Sequence, residues 1–363
     1  MKIVVFGLTV SSSWGNGHAT LWRGLIRALD RLGHRVVFFE RDVDYYAHFR
    51  DLRALPGASE LVLYPDWTAA RERAAREVAD ADVAMTTSYC PDAVAAAALI
   101  AERAPAAKLF YDLDTPVTLA KLAAGEHPAY LPAHGLGDFD LVLSYTGGAA
   151  LDALRDRLGA REAVPLYGHA DPEQHRPGPP DAHFAGDLSY LGTYAGDRQN
   201  ALRELFIEPA KLRPAQRFVL GGSGYPEDFP WTDNIFFVRH LPPPDHPSFF
   251  SSSRLTLNIT RADMAAMGWC PSGRLFEAAL CGCPLLSDDW EGLDRFFVPG
   301  EELLIARTRE DSVAALDLGA AELAAVARRA RERVLAEHTS EHRARALTEL
   351  VRGIAAPQRA AAE

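Results

Sequence analysis

Ser272, Gly273, Arg274 and Glu277 fall within one short stretch of the chain, and their types suit an anion held next to a diol. Gly273 lets a ligand approach the backbone, Ser272 can donate a hydrogen bond, and Arg274 brings positive charge. At a helix start, free backbone N–H groups and the positive end of the helix dipole add to these, so the combination fits a phosphate or diphosphate. Glu277 lies at i+4 from Gly273 and shares its face, where a carboxylate can accept two hydrogen bonds from a ribose diol. The same spacing also fits a solvated helix with an Arg274–Glu277 i,i+3 pair. The flanking residues predict that helix. Pro271 suits a first turn, and Leu275, Ala278 and Ala279 repeat at helical spacing. Gly282 and Pro284 then stop the helix before a buried strand over Leu285 and Leu286.

Three other groups could do chemistry. His18 follows Gly15-Asn16-Gly17 at the start of a second helix, where a neutral imidazole is favoured and could act as a general base; Asn16 and Ser13 are weaker candidates. Asp112-x-Asp114 ends a strand, where hard oxygen ligands could hold a divalent ion or line a crevice for acceptor recognition or base catalysis. Thr193 and Arg198 lie in Gly192–Arg198, where small residues permit close approach and Arg198 can neutralise a diphosphate. Gly15-x-Gly17 with Glu40 on the next strand imitates a dinucleotide fingerprint. However, the third glycine is replaced by Thr20, and no Walker lysine is present. His169, His175 and His246 sit in linker or loop sequence and read as solvated.

The elements that must position these groups alternate between strand and helix. Lys2–Leu8, Arg35–Glu40, Leu61–Tyr64, Val83–Thr86, Lys108–Asp112 and Leu141–Tyr145 read as buried strands. They define a domain over residues 1–165. Residues 166–180, dense in Pro, Gly, Asp and His, read as a linker. A second alternation fills 181–338, and residues 339–363 form a last helix. The Pro242-Pro243-Pro244 loop is expected to be irregular. The length of 363 residues suits two domains, and 48% hydrophobic residues supply their cores. A formal net charge of −11 opposes a general nucleic-acid or anionic-membrane binder. The four cysteines lack zinc-site spacing and read as core thiols of a reduced, cytoplasmic protein. No run reaches the roughly 20 apolar residues that cross a membrane.

The run Ser272-x-Arg274-x-Phe276-Glu277-Ala278-x-x-x-Gly282-x-Pro284 resembles the donor-site helix of GT-B glycosyltransferases. It is similar in particular to the spore-maturation-type, glycosyl transferases group 1-like proteins. The glycine-rich start, Asp112-x-Asp114-Thr-Pro and Gly192-Thr-Tyr through Arg198 carry the likeness along most of the chain. The resemblance implies an α/β protein of two Rossmann-like parallel-sheet domains facing across a cleft (GT-B). The first would be the acceptor side and the second the nucleotide-sugar donor side, with the last helix returning to the first. It implies that Glu277 holds a ribose, that Gly17 faces the donor, and that Gly222 and His240 lie near the base. A hexosyltransferase using a nucleotide-diphospho-sugar, an unidentified acceptor and neither metal nor cofactor is the expected activity. A nucleotide-sugar epimerase, a non-catalytic binding protein and a dehydrogenase are the competing readings. Many retaining relatives carry a second glutamate eight residues before the ribose glutamate; that position is Trp269 here.

Overall fold

The computed structural model describes residues 1–360, with side chains through residue 354. The chain forms two compact units. Unit 1 is Met1–Tyr167 with Ser340–Glu363, and unit 2 is Gly168–Thr339.

Unit 1 contains a parallel sheet of seven strands: β1 (Lys2–Gly7), β2 (Arg35–Arg41), β3 (Glu60–Tyr64), β4 (Val83–Thr87), β5 (Ala107–Asp112), β6 (Leu141–Ser144) and β7 (Ala163–Pro165). Their order is β3-β2-β1-β4-β5-β6-β7. Both faces are covered, so the strands are apolar throughout rather than alternating. Val4 and Phe6 enter one core while Ile3 and Val5 enter the other. Ala344, Leu347 and Val351 of the helix Ser340–Ala360 join the second core beside Leu21, Leu25 and Leu29 of the helix Gly17–Arg31. That apolar stripe places the final helix with unit 1.

Unit 2 has six parallel strands: β8 (Leu188–Leu191), β9 (Phe218–Gly221), β10 (Ile235–Val238), β11 (Thr256–Asn258), β12 (Leu285–Ser287) and β13 (Leu304–Ile305). Their order is β10-β9-β8-β11-β12-β13. Strand order reverses at β1/β4 in unit 1 and at β8/β11 in unit 2. Such switch points open a crevice at the strand C-termini, and the loops there carry the candidate residues.

Residues 168–180 do not run free between units. Gln174 donates to the Pro243 carbonyl at 2.8 Å, and Gly178 N–H to Ser251 Oγ at 2.9 Å, which ties the segment to unit 2. The Pro242-Pro243-Pro244 loop is also more regular than expected. Pro243–Asp245 forms a 3-10 turn that leads into the helix His246–Ser251, because prolines at a helix start lose no hydrogen bond. Among the described residues no helix is long and apolar enough to cross a membrane.

Candidate active site

In unit 1 the loop after β1 is pinned by a buried carboxylate. Glu40 accepts from Thr9 Oγ1 (2.8 Å), Val10 N (2.7 Å), Ser11 N (2.9 Å) and Ser11 Oγ (2.5 Å). It is fully buried and committed to this loop, which removes it as a ribose-binding acid and with it the dinucleotide reading. The loop leads into the helix Gly17–Arg31, whose N-cap Asn16 accepts from His18 N at 3.0 Å. His18 Nε2 lies 3.5 Å from Asp114 Oδ2. Asp114 is the N-cap of the helix Thr115–Ala123 but makes no side-chain capping bond, so its carboxylate is free to face the imidazole. Gly17 opens its helix with open space around it.

Asp112 takes a different part from Asp114. It is fully buried, and its Oδ1 accepts from Asp114 N at 3.1 Å. Burial pushes its carboxyl up to about 6. The two aspartates therefore do separate work, one shaping the turn and one facing His18. Tyr89, whose φ of 63° is unusual for a bulky residue, places its ring 6.0 Å from that of His18.

In unit 2 two arginines converge on Tyr190 at the end of β8. Arg198 Nη1 donates to the Tyr190 hydroxyl at 3.2 Å, and the Arg274 guanidinium lies over the Tyr190 ring at 5.2 Å. Arg198 Nε is buried without a hydrogen-bond partner among the described residues. Arg274 Nη1 also donates to Asn258 Oδ1 at 3.2 Å. Asn258 Nδ2 in turn donates to Ser287 Oγ at 3.1 Å, which holds the amide in place. Close packing makes glycine necessary here. A Cβ on Gly192 would meet the Tyr190 hydroxyl at 2.7 Å, and one on Gly222, at φ +152°, would meet the Gly192 carbonyl at 2.0 Å. Thr193 Oγ1 is 3.5 Å from Ser223 Oγ, so both loops border the same spot.

The helix predicted around Glu277 spans Gly273–Leu280, with Ser272 as an N-cap that makes no side-chain capping bond. Gly282 (φ 77°) turns the chain after it. Arg274 and Glu277 are not the surface pair that their spacing also allowed. Arg274 reaches Tyr190 and Asn258, while Glu277 faces His175 (4.0 Å) and His246 (3.9 Å). Burial raises the Glu277 carboxyl to about 7, with Arg274 opposing the shift. Trp269, at φ 51°, packs over Gly292 and donates through Nε1 to Glu291 Oε1 at 3.4 Å.

The sequence missed Tyr190 and Asn258, which read as strand interior. It also misassigned three histidines as solvated: His169, His175 and His246 are 4%, 1% and 8% exposed. His175 and His246 are covered because residues 174–178 fold onto the loop and helix around His246. His240 follows β10 and lies near enough to His246 to disfavour its protonation, while burial, the larger cause, lowers the His246 imidazole to about 4.

Two parallel α/β units with these strand orders are the parts of a GT-B fold. Residues 198–349 match the family model described as "Glycosyl transferase-like". No curated protein matches the chain by sequence. Solved structures share its fold at low identity. A sucrose-phosphate synthase from Thermosynechococcus elongatus is 16% identical, with 98% of this chain and 99% of that one covered and a TM-score of 0.70. Anabaena HepE, solved with UDP-glucose, is 12% identical over 97% and 100% of the chains, with a TM-score of 0.67. AviGT4, a glycosyltransferase of avilamycin A biosynthesis, is 15% identical over 98% of each chain, with a TM-score of 0.63.

Proposed function

We propose that this chain is a glycosyltransferase that moves a hexosyl group from a nucleotide-diphospho-sugar, held by unit 2, to an acceptor hydroxyl, without a metal ion or cofactor. The observation that carries the reading is the convergence of Arg198 and Arg274 on Tyr190, beside a helix whose first turn is followed by Glu277. Two fixed guanidiniums and the free N–H groups of a helix start stabilise the charge that develops on a departing diphosphate. Glu277 would anchor the ribose, with Ser272, Gly273, Thr193, Gly222 and His240 lining the nucleotide.

His18 would take the acceptor proton, and Asp114 would orient the ring and stabilise the imidazolium that forms. HepE and an alpha-glucosyltransferase solved with UDP make UDP the first nucleotide to try. A nucleic-acid acceptor is not proposed, because a net charge of −11 opposes it. Free buried cysteines support a cytoplasmic setting.

A thermal-shift screen over UDP, dTDP, GDP and their sugars tests the donor, since a ligand bound to the folded state raises its stability. Release of nucleoside diphosphate only with added acceptor marks transfer. Sugar interconversion without acceptor would mark an epimerase, and binding without turnover a binding protein. Activity should persist in excess EDTA. Loss of activity that Mg²⁺ restores would overturn the metal-free mechanism.

A further inference from the structure

We propose that His175, His246 and Glu277 form a binding site for a zinc-type transition-metal ion, and that metal bound there excludes the sugar donor. The exclusion rests on the donor reading of Glu277; the metal site itself does not. His175 Nε2 and His246 Nδ1 are 3.2 Å apart. Glu277 Oε1 is 4.0 Å from the first and Oε2 3.9 Å from the second. A ligand atom from each of the three residues lies within 4.8 Å of the others. Around a tetrahedral Zn²⁺ with bonds of 2.0–2.1 Å, neighbouring ligand atoms sit about 3.3 Å apart. The two nitrogens already stand near that separation, and a carboxylate oxygen has to close by roughly 0.6 to 1.5 Å, a swing the Glu277 side chain can make.

The donor chemistry is selective. Two imidazoles and one carboxylate suit zinc or cobalt and leave a fourth position open, whereas Mg²⁺ prefers oxygen ligands and retains its waters. Both rings are held in place. His175 sits in the segment packed onto unit 2, and His246 opens the helix His246–Ser251. The site is also reachable, since the Glu277 side chain is 14% exposed and that of His246 10%. Without metal, the two rings share a hydrogen bond. With metal, one ring moves its proton to its other nitrogen and both lone pairs turn to the ion. A Glu277 carboxylate committed to the ion no longer accepts from a ribose, so metal and nucleotide exclude each other.

The test is a Co²⁺ titration of the metal-free full-length chain, followed by the visible absorption of tetrahedral Co²⁺. One Co²⁺ should bind per chain, and added Zn²⁺ should abolish the band and raise the melting temperature. His175→Gln and His246→Gln should each weaken Co²⁺ binding by more than about 100-fold, because losing even a group behind a ligand costs 10–100-fold. If the buried His175→Gln variant does not fold, His246→Gln and Glu277→Gln carry the test. No band, or a band unchanged in the folded variants, would overturn the site. At a free Zn²⁺ concentration clamped by a metal buffer at about ten times its Kd or higher, UDP affinity should fall at least about tenfold; unchanged affinity overturns the exclusion. Thermal shifts of the metal-free chain with UDP, dTDP and GDP separate the two ideas. Shifts without a Co²⁺ band end the metal proposal alone, and a band without any shift ends the donor reading alone.

Discussion

The loops at the two switch points solve opposite problems. In unit 1 the loop after β1 is closed on itself, with four donors satisfied by the one Glu40 carboxylate. What it offers outward is narrow, chiefly His18 with Asp114 beside it. In unit 2 the loop after β8 and the helix start after β11 leave their charge unspent. Arg198 keeps a buried Nε without a partner among the described residues, and Arg274 is held by a neutral amide and a ring rather than a carboxylate. A guanidinium paired to a carboxylate would have little left for a ligand; one braced by neutral groups keeps its charge. A rigid scaffold for one proton transfer and an open cationic cradle are thus built on the same βα pattern, distinguished by where the carboxylates point.

That contrast breaks most visibly at Glu40. Replacing it with alanine strands buried N–H and hydroxyl donors, each of which costs about 1–3 kcal/mol. The expected loss is on the order of 3–5 kcal/mol of stability. At about 2–4 °C per kcal/mol for a unit of this size, the melting temperature should drop by roughly 6–20 °C. Glu40→Gln keeps one acceptor oxygen and should lose less. A Glu40→Ala protein that melts with wild type would mean that the loop is not pinned as described. His18→Ala should lower turnover by roughly 10²-fold or more with donor affinity little changed, the usual scale of lost acid–base help. Equal effects on turnover and nucleotide affinity would remove the division of labour between units.

The cradle itself is tested at Glu277. Hydrogen bonds to a charged group contribute about 1.5–3 kcal/mol, so Glu277→Ala should weaken nucleotide binding roughly 10- to 150-fold. The helix should survive, because alanine is the better helix former. Calorimetric titration with the nucleoside diphosphate and its 2′-deoxy form should show the loss only with the ribose. An unchanged affinity in the variant would sink the ribose role.

Placement confined to one element was legible in the sequence, and groups brought together from several were not. Ser272 to Glu277 share a helix start, so their spacing already states their geometry. The buried strands announced themselves as apolar runs such as Ile3–Phe6 and Val36–Phe39, which both faces of a parallel sheet require. The edge strand Ala163–Pro165 was too short to register, and the helix Thr115–Ala123 was hidden behind its own Pro116. The pairing of His175 with His246 joins residues 71 apart, and no local pattern marks either ring. Tyr190 and Asn258 look like core in sequence because their strands are core. Only the meeting of strand ends at the switch point turns them toward the arginines.

The smallest expected effect belongs to Asp112, and it sharpens the difference between the two aspartates. Burial holds its carboxyl at about 6, well above its ordinary value. Below about pH 4 the group is protonated in both folded and unfolded chains, and its contribution to stability is fully present. As the pH rises toward 6 the unfolded chain releases the proton while the folded chain keeps it, so stability falls. Above that the penalty is constant, on the order of 3 kcal/mol in full, of which about 2 develops between pH 4.5 and 7.5. Asp112→Asn keeps the oxygen that accepts from Asp114 N but cannot ionise. Urea unfolding from pH 4.5 to 7.5 should therefore show the variant gaining on wild type as pH rises, whatever the fixed offset between them. Parallel pH curves for wild type and Asp112→Asn would show that Asp112 ionises freely in the folded chain, and the separation of roles between the two aspartates would fall with it.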